Sequence, residues 1–410
     1  ITTLLRNHFF MNSVQCYMNE TDGYNHTFWR IYYQWILNAN KILSGLEKVE
    51  VTDKRLFDQI KGEALCIRAW AHFNLVQLYA KRYEAGKNNT QDGIPYREKA
   101  MFEGQARNSV EDVYTKINRD LDEACMLLNG IQVNDINHYS EMVAWGLKAR
   151  VALVMQDYDN AAAYAKKSII LAELGGRQLM VGSQLNCGFA NITTDTKEAM
   201  YAAKTPGDMT VYFFSYYAFM SWNFNSAAIR QGVKCINADA YETMSETDLR
   251  RAWWDPTGEA SVPASSYVKN AYQNRKFTAR SAADAVGDVA FMRLSEMYLT
   301  QAEALVRAGK SGEGQNVFTK FQITRDPSYT SKGNTGDALA EEIMNSRRVE
   351  LWGEGFRFYD LKRLHLPIKR GANFDIAFCT FLEKDKDAQG WVWEIPKIET
   401  DFNSLCTKNY

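Results

Sequence analysis

The sequence contains no apolar run long enough to cross a membrane. The longest, at 211–220, includes Ser and three Tyr, whereas a membrane-spanning helix needs about 20 mainly apolar residues. An excess of positive charge is also absent, because 48 Lys and Arg are balanced by 49 Asp and Glu. Nucleic acid is therefore not an expected partner. The chain opens on Ile1 and shows no signal peptide, so we expect any leader to lie upstream.

Clusters of cysteine, histidine and catalytic residues are missing as well. The seven Cys include no CxxC pair and the five His are scattered, which predicts neither a disulfide framework nor a metal site. No GxSxG or HExxH pattern occurs. The Gly309-Lys310-Ser311 triplet is no phosphate loop, because position 304 is Ala where that motif needs Gly. We expect no enzyme activity, no metal and no cofactor.

Aromatic residues, by contrast, are abundant, with 22 Tyr, 21 Phe and 10 Trp. They either fill a large core or provide a surface on which a ligand stacks. From 27 to 177 the apolar residues recur almost throughout at helical spacing. Within 140–171, alanines and a short turn resemble a tetratricopeptide unit, and 291–324 repeats this pattern more weakly. We predict a mainly α fold built on tetratricopeptide-like helical pairs.

The helical pattern fails between 175 and 286, where Gly, Pro, Ser, Thr and Asn are frequent. We call this segment the excursion. It is predicted to be irregular and rich in loops, with a few short strands or helices, and to face the ligand, because loops on a rigid scaffold often carry binding residues. The predicted regions are an N-terminal helical region at 1–174, the excursion at 175–286 and a C-terminal region at 287–410, all within one structural unit.

A charged and aromatic helix is predicted at 345–363. At 100° per residue, its acids and bases share one side while aromatic residues occupy the other. Because a helix that is apolar on several sides is normally buried, its charges are expected to form structural ion pairs. Gly353 and Gly355 indicate either close approach of another backbone or a local break. The residues predicted to form the ion pairs are Arg347, Glu350, Glu354 and Arg357.

Several motifs together resemble the SusD/RagB family, a group of surface nutrient-binding lipoproteins of Bacteroidetes-type bacteria. Their order and spacing extend through almost the whole chain. The motifs are NANKIL at 38–43 after Trp35, GEALCIRAWAHFNLVQLY at 62–79, GIP at 93–95, RNSVEDVYTKINRDLDEA at 107–124, RLSEMYLTQAEA at 293–304, ELWGEGFRFYDLKR at 350–363 and IPKIETDFN at 395–403.

The resemblance implies a helical scaffold that captures an oligosaccharide, or in some relatives a peptide, without catalysis. It also implies delivery of the ligand to a SusC-like TonB-dependent transporter of the outer membrane. The protein would then be exposed at the cell surface and held there only by a lipid anchor. That anchor is expected upstream of this chain, and Cys16 is not a candidate for it.

Two stretches are predicted to bind the glycan, because each combines aromatic rings with amide side chains outside the regular helices. The first precedes the Trp29 helix and the second lies in the excursion. The opposing interpretation is that these aromatics fill the excursion's own small core. The predicted ligand-binding residues are Tyr24 and Asn25 in the first stretch and Tyr216, Trp222, Asn223, Trp253 and Trp254 in the second.

Two other classes of function remain open from the sequence. One is a tetratricopeptide scaffold that binds only protein. The other is a helical glycoside hydrolase, which needs two carboxylates about 5–10 Å apart in an open cleft. Unpaired acids are not evident near the aromatics, which weighs against the hydrolase. The residues do not indicate which sugar or linkage is bound.

Overall fold

The computed structural model describes residues 2–3, 18–206, 215–260, 267–374 and 381–410. Cys16 and the first four residues of the aromatic run at 211–220 lie outside these ranges. Within them the fold is mainly helical, as predicted.

Five long helices form the first part of the described fold. Side chains cap four of them, since Asp22, Asp53, Ser109 and Asp157 accept hydrogen bonds from backbone N–H groups of the first turn. Consecutive helices pack against each other, and the predicted pair at 140–171 is present with slightly shifted ends. The helices are α1 (Gly23–Leu46), α2 (Lys54–Tyr79), α3 (Val110–Leu127), α4 (Glu141–Val154) and α5 (Tyr158–Leu174).

The excursion consists of short elements joined by loops, as predicted. Its strands β3, β4 and β5 form a small sheet with the N-terminal β1 in the order β1-β3-β5-β4. Strand β1 is Thr2–Thr3. The elements of the excursion itself are 3-10 helices at Gly182–Asn186 and Leu249–Trp253, helices α6 (Ile192–Asp195), α7 (Tyr216–Met220), α8 (Ala227–Arg230) and α9 (Ala238–Tyr241), and strands β2 (Ala199–Ala203), β3 (Lys234–Cys235), β4 (Trp254–Asp255) and β5 (Gln273–Asn274).

The C-terminal part supplies the second helical pair, α10 and α11. That pair begins at Leu294 rather than 291, because the preceding residues pair antiparallel with β2 and so tie the excursion to the scaffold. The elements are β6 (Val289–Arg293), α10 (Leu294–Arg307), α11 (Ser311–Gln322), α12 (Gly336–Glu350), α13 (Arg357–Arg363), β7 (Ile368–Lys369), β8 (Glu383–Lys384) and α14 (Lys397–Phe402).

Two main hydrophobic cores hold these parts. The larger one joins helices α1 to α5 with α10, α11 and α12. The second lies within the excursion and takes in Val349 and Trp352 from the end of α12 and the turn that follows it. The excursion therefore has a core of its own that is closed by the scaffold. The division into three sequence regions remains a prediction.

The prediction of one helix at 345–363, with its charges along one side, is wrong. Helix α12 ends at Glu350 and α13 starts at Arg357, with a turn between them. In that turn Gly353 and Gly355 have φ values of +82° and +90°, a left-handed conformation that favours glycine. A Cβ at Gly353 would also lie 2.6 Å from the Phe277 ring. The predicted break is therefore confirmed, whereas the close approach at Gly353 comes from side chains and not from another backbone.

Buried ion pairs surround Glu350 nonetheless. Its carboxylate accepts hydrogen bonds from Arg250, Arg293 and Arg325, at 3.4, 3.0 and 2.9 Å for the shortest contact of each. The same Arg293 and Arg325 also bind Glu198. Burial by itself raises the pKa of Glu350, but Arg325 and Arg293 outweigh it and hold the pKa well below its usual range.

The other three predicted ion-pair residues differ from one another. Glu354 accepts hydrogen bonds from Lys276 at 2.7 Å and from Arg293. Arg347 binds Asp360 at 3.0 Å. Arg357 makes no ion pair with any residue that the structure describes. The side chains therefore act in a network that reaches far beyond their own segment.

We expect Glu350→Gln to lower the free energy of unfolding by about 3–5 kcal/mol, because it leaves buried guanidinium groups without their anion. Urea unfolding followed by circular dichroism measures the change. Lys54→Ala removes an exposed pair with Asp58 and should cause no measurable change. A Glu350→Gln protein with the wild-type urea midpoint would contradict a stabilising network.

His72 is a second buried titratable group. It lies on α2 and faces the loop that follows this helix. Its Nδ1–H donates to the Arg68 carbonyl at 2.8 Å, and its Nε2 accepts the Arg97 N–H at 3.0 Å. The ring also stacks on Tyr96. Burial lowers the pKa of His72 to about 3. The neutral ring suits both hydrogen bonds, since protonation would remove the acceptor.

We expect the protein to lose stability as the pH falls below about 6.5. Below that pH His72 takes up a proton in the unfolded chain but stays neutral in the folded chain. Between pH 6.5 and 5 we expect a loss of up to about 2 kcal/mol from His72. His72→Gln keeps one donor and one acceptor and should flatten this part of the stability profile. Urea unfolding at several pH values tests it, and equal slopes for both proteins would refute it.

Candidate functional site

The first predicted binding stretch divides between a buried and an exposed residue. Asn25 is fully buried, and its side-chain amide donates to the carbonyls of Asn19 and Glu394 while its oxygen accepts the Tyr79 hydroxyl. Asn25 therefore fixes the start of α1 and is not available to a ligand. Tyr24 is 42% exposed, which keeps it a candidate.

Trp253 and Trp254 do not face solvent, which corrects their predicted role. They are 1% and 2% exposed and lie edge to face in the core of the excursion. The indole N–H of Trp253 donates to the Leu185 carbonyl at 2.6 Å. A sugar ring cannot reach either indole face, so the opposing interpretation, a small core, holds for these two residues.

Trp222, Asn223 and Tyr216 are half-buried. The indole N–H of Trp222 donates to the Thr278 hydroxyl at 2.9 Å, and the Arg275 guanidinium lies 5.5 Å from its ring centre. The Asn223 side chain exchanges two hydrogen bonds with the backbone of Ala279. These contacts stabilise the excursion and leave Trp222 and Asn223 only partly accessible.

A stripe of exposed and partly exposed aromatic side chains lies instead on α1. Tyr24, Phe28, Tyr32 and Trp35 follow one another at spacings of 4, 4 and 3 residues, which places them on one side of the helix. Phe28 and Trp35 are 41% and 37% exposed. The stripe is about 16 Å long, at 1.5 Å per residue. It adjoins the buried stripe of Trp29 and Ile36 that anchors α1 in the main core.

Rings from other elements hold this stripe in place. Trp70 of α2 stacks on Trp35, with 5.4 Å between ring centres and 15° between planes. Tyr32 meets both indoles edge to face, and Phe291 of β6 meets Trp70 in the same way. Since one face of Trp35 is used for this stack and the side chain is still partly exposed, a rigid aromatic platform results.

The platform forms one wall of a cleft of about 530 Å³, within the size range of ligand sites. We call it the aromatic cleft. Tyr216, the one excursion residue predicted to bind ligand that reaches it, donates its hydroxyl to the Gly353 carbonyl at 3.1 Å. The platform side is lined by Phe28, Tyr32, Trp35, Trp70, Asn74, Gln77 and Phe291, and the other side includes Tyr216, Phe277, Asp288, Gly353, Glu354, Phe356 and Tyr359.

The carboxylates that line the cleft are all engaged. Glu354 and Asp360 are paired with buried cations, and Asp288 accepts hydrogen bonds from Thr193 and Thr205. The geometry of a glycoside hydrolase, with two free carboxylates across a cleft, is therefore absent from the described lining. Among all the residues that the structure describes, no three His, Cys, Asp or Glu side chains lie together as metal ligands would.

Sequence reasoning missed Phe28, Tyr32, Trp35 and Trp70 as residues that line a cleft. It noted only that apolar residues recur at helical spacing and used Trp35 as part of a motif. The available signal was that aromatics occupy two neighbouring stripes of α1, wider than one core contact requires. Trp70 and Phe291 had no comparable signal, because only the fold brings them beside α1.

A mainly helical scaffold that holds an open aromatic cleft, lined by engaged carboxylates, is the architecture of a binding protein. A family model described as "SusD family" matches residues 81–403. A second model, described as "Starch-binding associating with outer membrane", matches residues 3–153. The chain belongs to the SusD family, whose binding proteins are non-catalytic. The predicted family is therefore confirmed.

Individual relatives agree with this assignment. The chain is 22% identical to the SusD-like protein P38 of Formosa agariphila, over 83% of this chain and 72% of that protein. A putative sugar-binding protein of Bacteroides vulgatus has a similar fold, with a TM-score of 0.85 and 23% identity over 99% of this chain and 90% of the other. A SusD-like carbohydrate-binding protein of the same species gives 0.83 and 21%, covering 98% and 88%. These structures confirm the fold.

No helix in the described ranges is long and apolar enough to cross a membrane. Association with the outer membrane is supported by the description of the family model that matches residues 3–153.

The opposite locations of Trp254 and Trp35 predict different effects of truncation. Trp254→Ala should lower the free energy of unfolding by about 3–5 kcal/mol, because it leaves a cavity in the excursion core. Trp35→Ala should cost clearly less, since its side chain is partly solvated. Urea unfolding distinguishes them. A Trp254→Ala protein of wild-type stability with weakened glycan binding would restore Trp254 as a ligand contact.

Proposed function

We propose that this chain is a glycan-binding protein of the cell surface that captures an oligosaccharide and delivers it to a SusC-like TonB-dependent transporter. It is held at the outer membrane by a lipid anchor upstream of the chain. Membership of the SusD family supports this proposal, and so does the description of the model that matches residues 3–153. The observation that carries it is the exposed aromatic stripe of α1 at the mouth of the aromatic cleft.

The chemistry of the cleft suits a sugar. Pyranose rings present apolar C–H faces that pack on aromatic planes, and Phe28 and Trp35 offer such planes to solvent. Sugar hydroxyl groups need hydrogen-bond partners, and the side-chain amides of Asn74 and Gln77 line the same cleft. A stripe of about 16 Å extends past several consecutive sugar rings. Capture of a short stretch of polysaccharide follows from this arrangement.

A protein partner is supported by a different surface. Exposed aliphatic side chains are concentrated where α1 turns into α2, and a concentration of this kind marks interaction sites in many proteins. The surface is distinct from the aromatic stripe, so ligand and transporter need not compete for the same residues. The exposed side chains are Ile42, Val49, Val51, Leu56 and Ile60. A scaffold that binds only protein would use this surface and leave the aromatic cleft without a function.

We expect the protein to bind at least one of starch, laminarin, alginate and polygalacturonate in isothermal titration calorimetry. Phe28→Ala and Trp35→Ala should each weaken that binding at least about tenfold, because each removes an aromatic contact worth roughly 1.4 kcal/mol or more. Phe402→Ala, at an 86% exposed phenylalanine outside the cleft, is the matched control and should bind as the wild type does.

Three other results would change the conclusion. Binding to none of the four glycans would refute the proposed function. Loss of binding in Trp222→Ala but not in Trp35→Ala would move the site to the excursion, where Trp222, Asn223 and Tyr216 remain a second candidate. Release of reducing sugar would favour the glycoside hydrolase instead.

A further inference from the structure

Charged side chains line the aromatic cleft, yet protein partners hold each of them. Arg150 binds both carboxylate oxygens of Glu296 at 2.6 Å. Its guanidinium also lies 5.2 Å from the centre of the Phe356 ring. Arg363 forms the same two-fold contact with Glu303, at 2.8 and 2.7 Å. A ligand carboxylate that took Arg150 would leave the buried Glu296 unpaired, which is strongly unfavourable. One that took Arg363 would leave the buried Glu303 with Arg307 as its remaining cation.

The carboxylate on the excursion side adds a negative charge to the wall. Asp288 is buried and accepts hydrogen bonds from the Thr193 hydroxyl at 2.5 Å and from the Thr205 N–H at 3.1 Å. Its partners are neutral donors, so its charge is solvated by dipoles and is not cancelled by a cation. An anionic ligand in the cleft would therefore meet a like charge and no available positive one.

The groups left for a ligand are uncharged. The side-chain N–H groups of Asn74 and Gln77 donate to the carbonyls of Trp70 and Phe73, at 2.7 and 3.1 Å. These hydrogen bonds fix both amides on α2 and leave their oxygen atoms as acceptors for hydroxyl groups.

Two phenols supply the complementary donors. Tyr32 and Tyr359 both line the cleft. Burial raises the pKa of Tyr32 to about 12 and that of Tyr359 further above its ordinary value. Both phenols therefore keep their protons at neutral pH and can donate hydrogen bonds to a sugar oxygen.

From this geometry we infer that the aromatic cleft selects neutral glycans and discriminates against glycans that carry carboxylate groups. The inference rests on the proposed function, because it specifies the ligand class of the same site. Its physical basis is that an acidic sugar would give up its hydration without gaining a cation, whereas a neutral sugar exchanges water for amide, phenol and aromatic contacts.

The test compares starch and laminarin with the same polysaccharides after oxidation of their primary alcohols to carboxylates. Each pair shares one backbone and linkage, so the two forms differ only in the group at the primary position, a neutral hydroxyl in one and an anionic carboxylate in the other. We expect oxidation to weaken binding at least a hundredfold. Binding of the neutral form should change less than threefold between 50 and 500 mM NaCl, since no ion pair forms. Isothermal titration calorimetry measures both quantities.

A cation placed in the cleft should reduce the preference for the neutral form. Asn74→Lys introduces a flexible ammonium group on the platform side and should strengthen binding of the oxidised glycan at least tenfold relative to the neutral one. Leu174→Lys, at an exposed position outside the cleft, serves as the charge-matched control and should leave the ratio unchanged. Thermal unfolding of both variants checks that they are folded.

The outcomes separate the inference from the proposed function. Equal affinities for the neutral and oxidised forms, or binding of alginate or polygalacturonate alone, would overturn charge selection while leaving glycan capture intact. Oxidised glycan that binds tightly and is displaced by salt would do the same. Absence of binding to every polysaccharide tested would refute the proposed function itself, and the inference with it.

Discussion

The buried carboxylate of Glu350 constrains the arrangement of the whole molecule. An ionised carboxylate out of water needs cations around it. Here the cations come from three separate segments: Arg250 from a 3-10 helix of the excursion, Arg293 from the end of β6, and Arg325 from the residues after α11. Each guanidinium in turn requires an anion. The excursion, the strand pair and the C-terminal helices can therefore satisfy their charges only when they are packed in this arrangement.

The break after α12 lies within the same network. Across it, the carboxylates of Glu350 and Glu354 both bind Arg293. The left-handed Gly353 and Gly355 turn the chain back at this point. The turn also directs Phe356 and Tyr359 toward the aromatic cleft. Two glycines that are unfavourable in a helix thus link the charge network to the geometry of the site.

The sequence predicted the helices, the helical pairs and the presence of buried ion pairs, because helical periodicity and local composition determine these features. It did not predict the partners of Glu350, since Arg250 lies 100 residues away along the chain and only the fold brings it near. Trp253 and Trp254 illustrate a different limit. A ligand platform and a small core use the same aromatic residues among polar loops, and only burial distinguishes them. For α1, helical periodicity predicted the helix but not the second aromatic stripe, which only the structure shows to be partly exposed.

The scaffold and the aromatic cleft depend on different side chains. Arginine and glutamate are used to position the elements, and each guanidinium committed to a buried carboxylate is unavailable to a ligand. Aromatic rings serve both purposes, because Trp35 uses one face to stack on Trp70 and remains partly exposed to solvent. That stack immobilises the indole before any ligand arrives, which lowers the entropy lost on binding. For the proposed glycan ligand, a cleft built in this way would offer shape complementarity and contacts to hydroxyl groups. The aromatic stack holds its platform rigid, and the paired charges hold the elements that surround it.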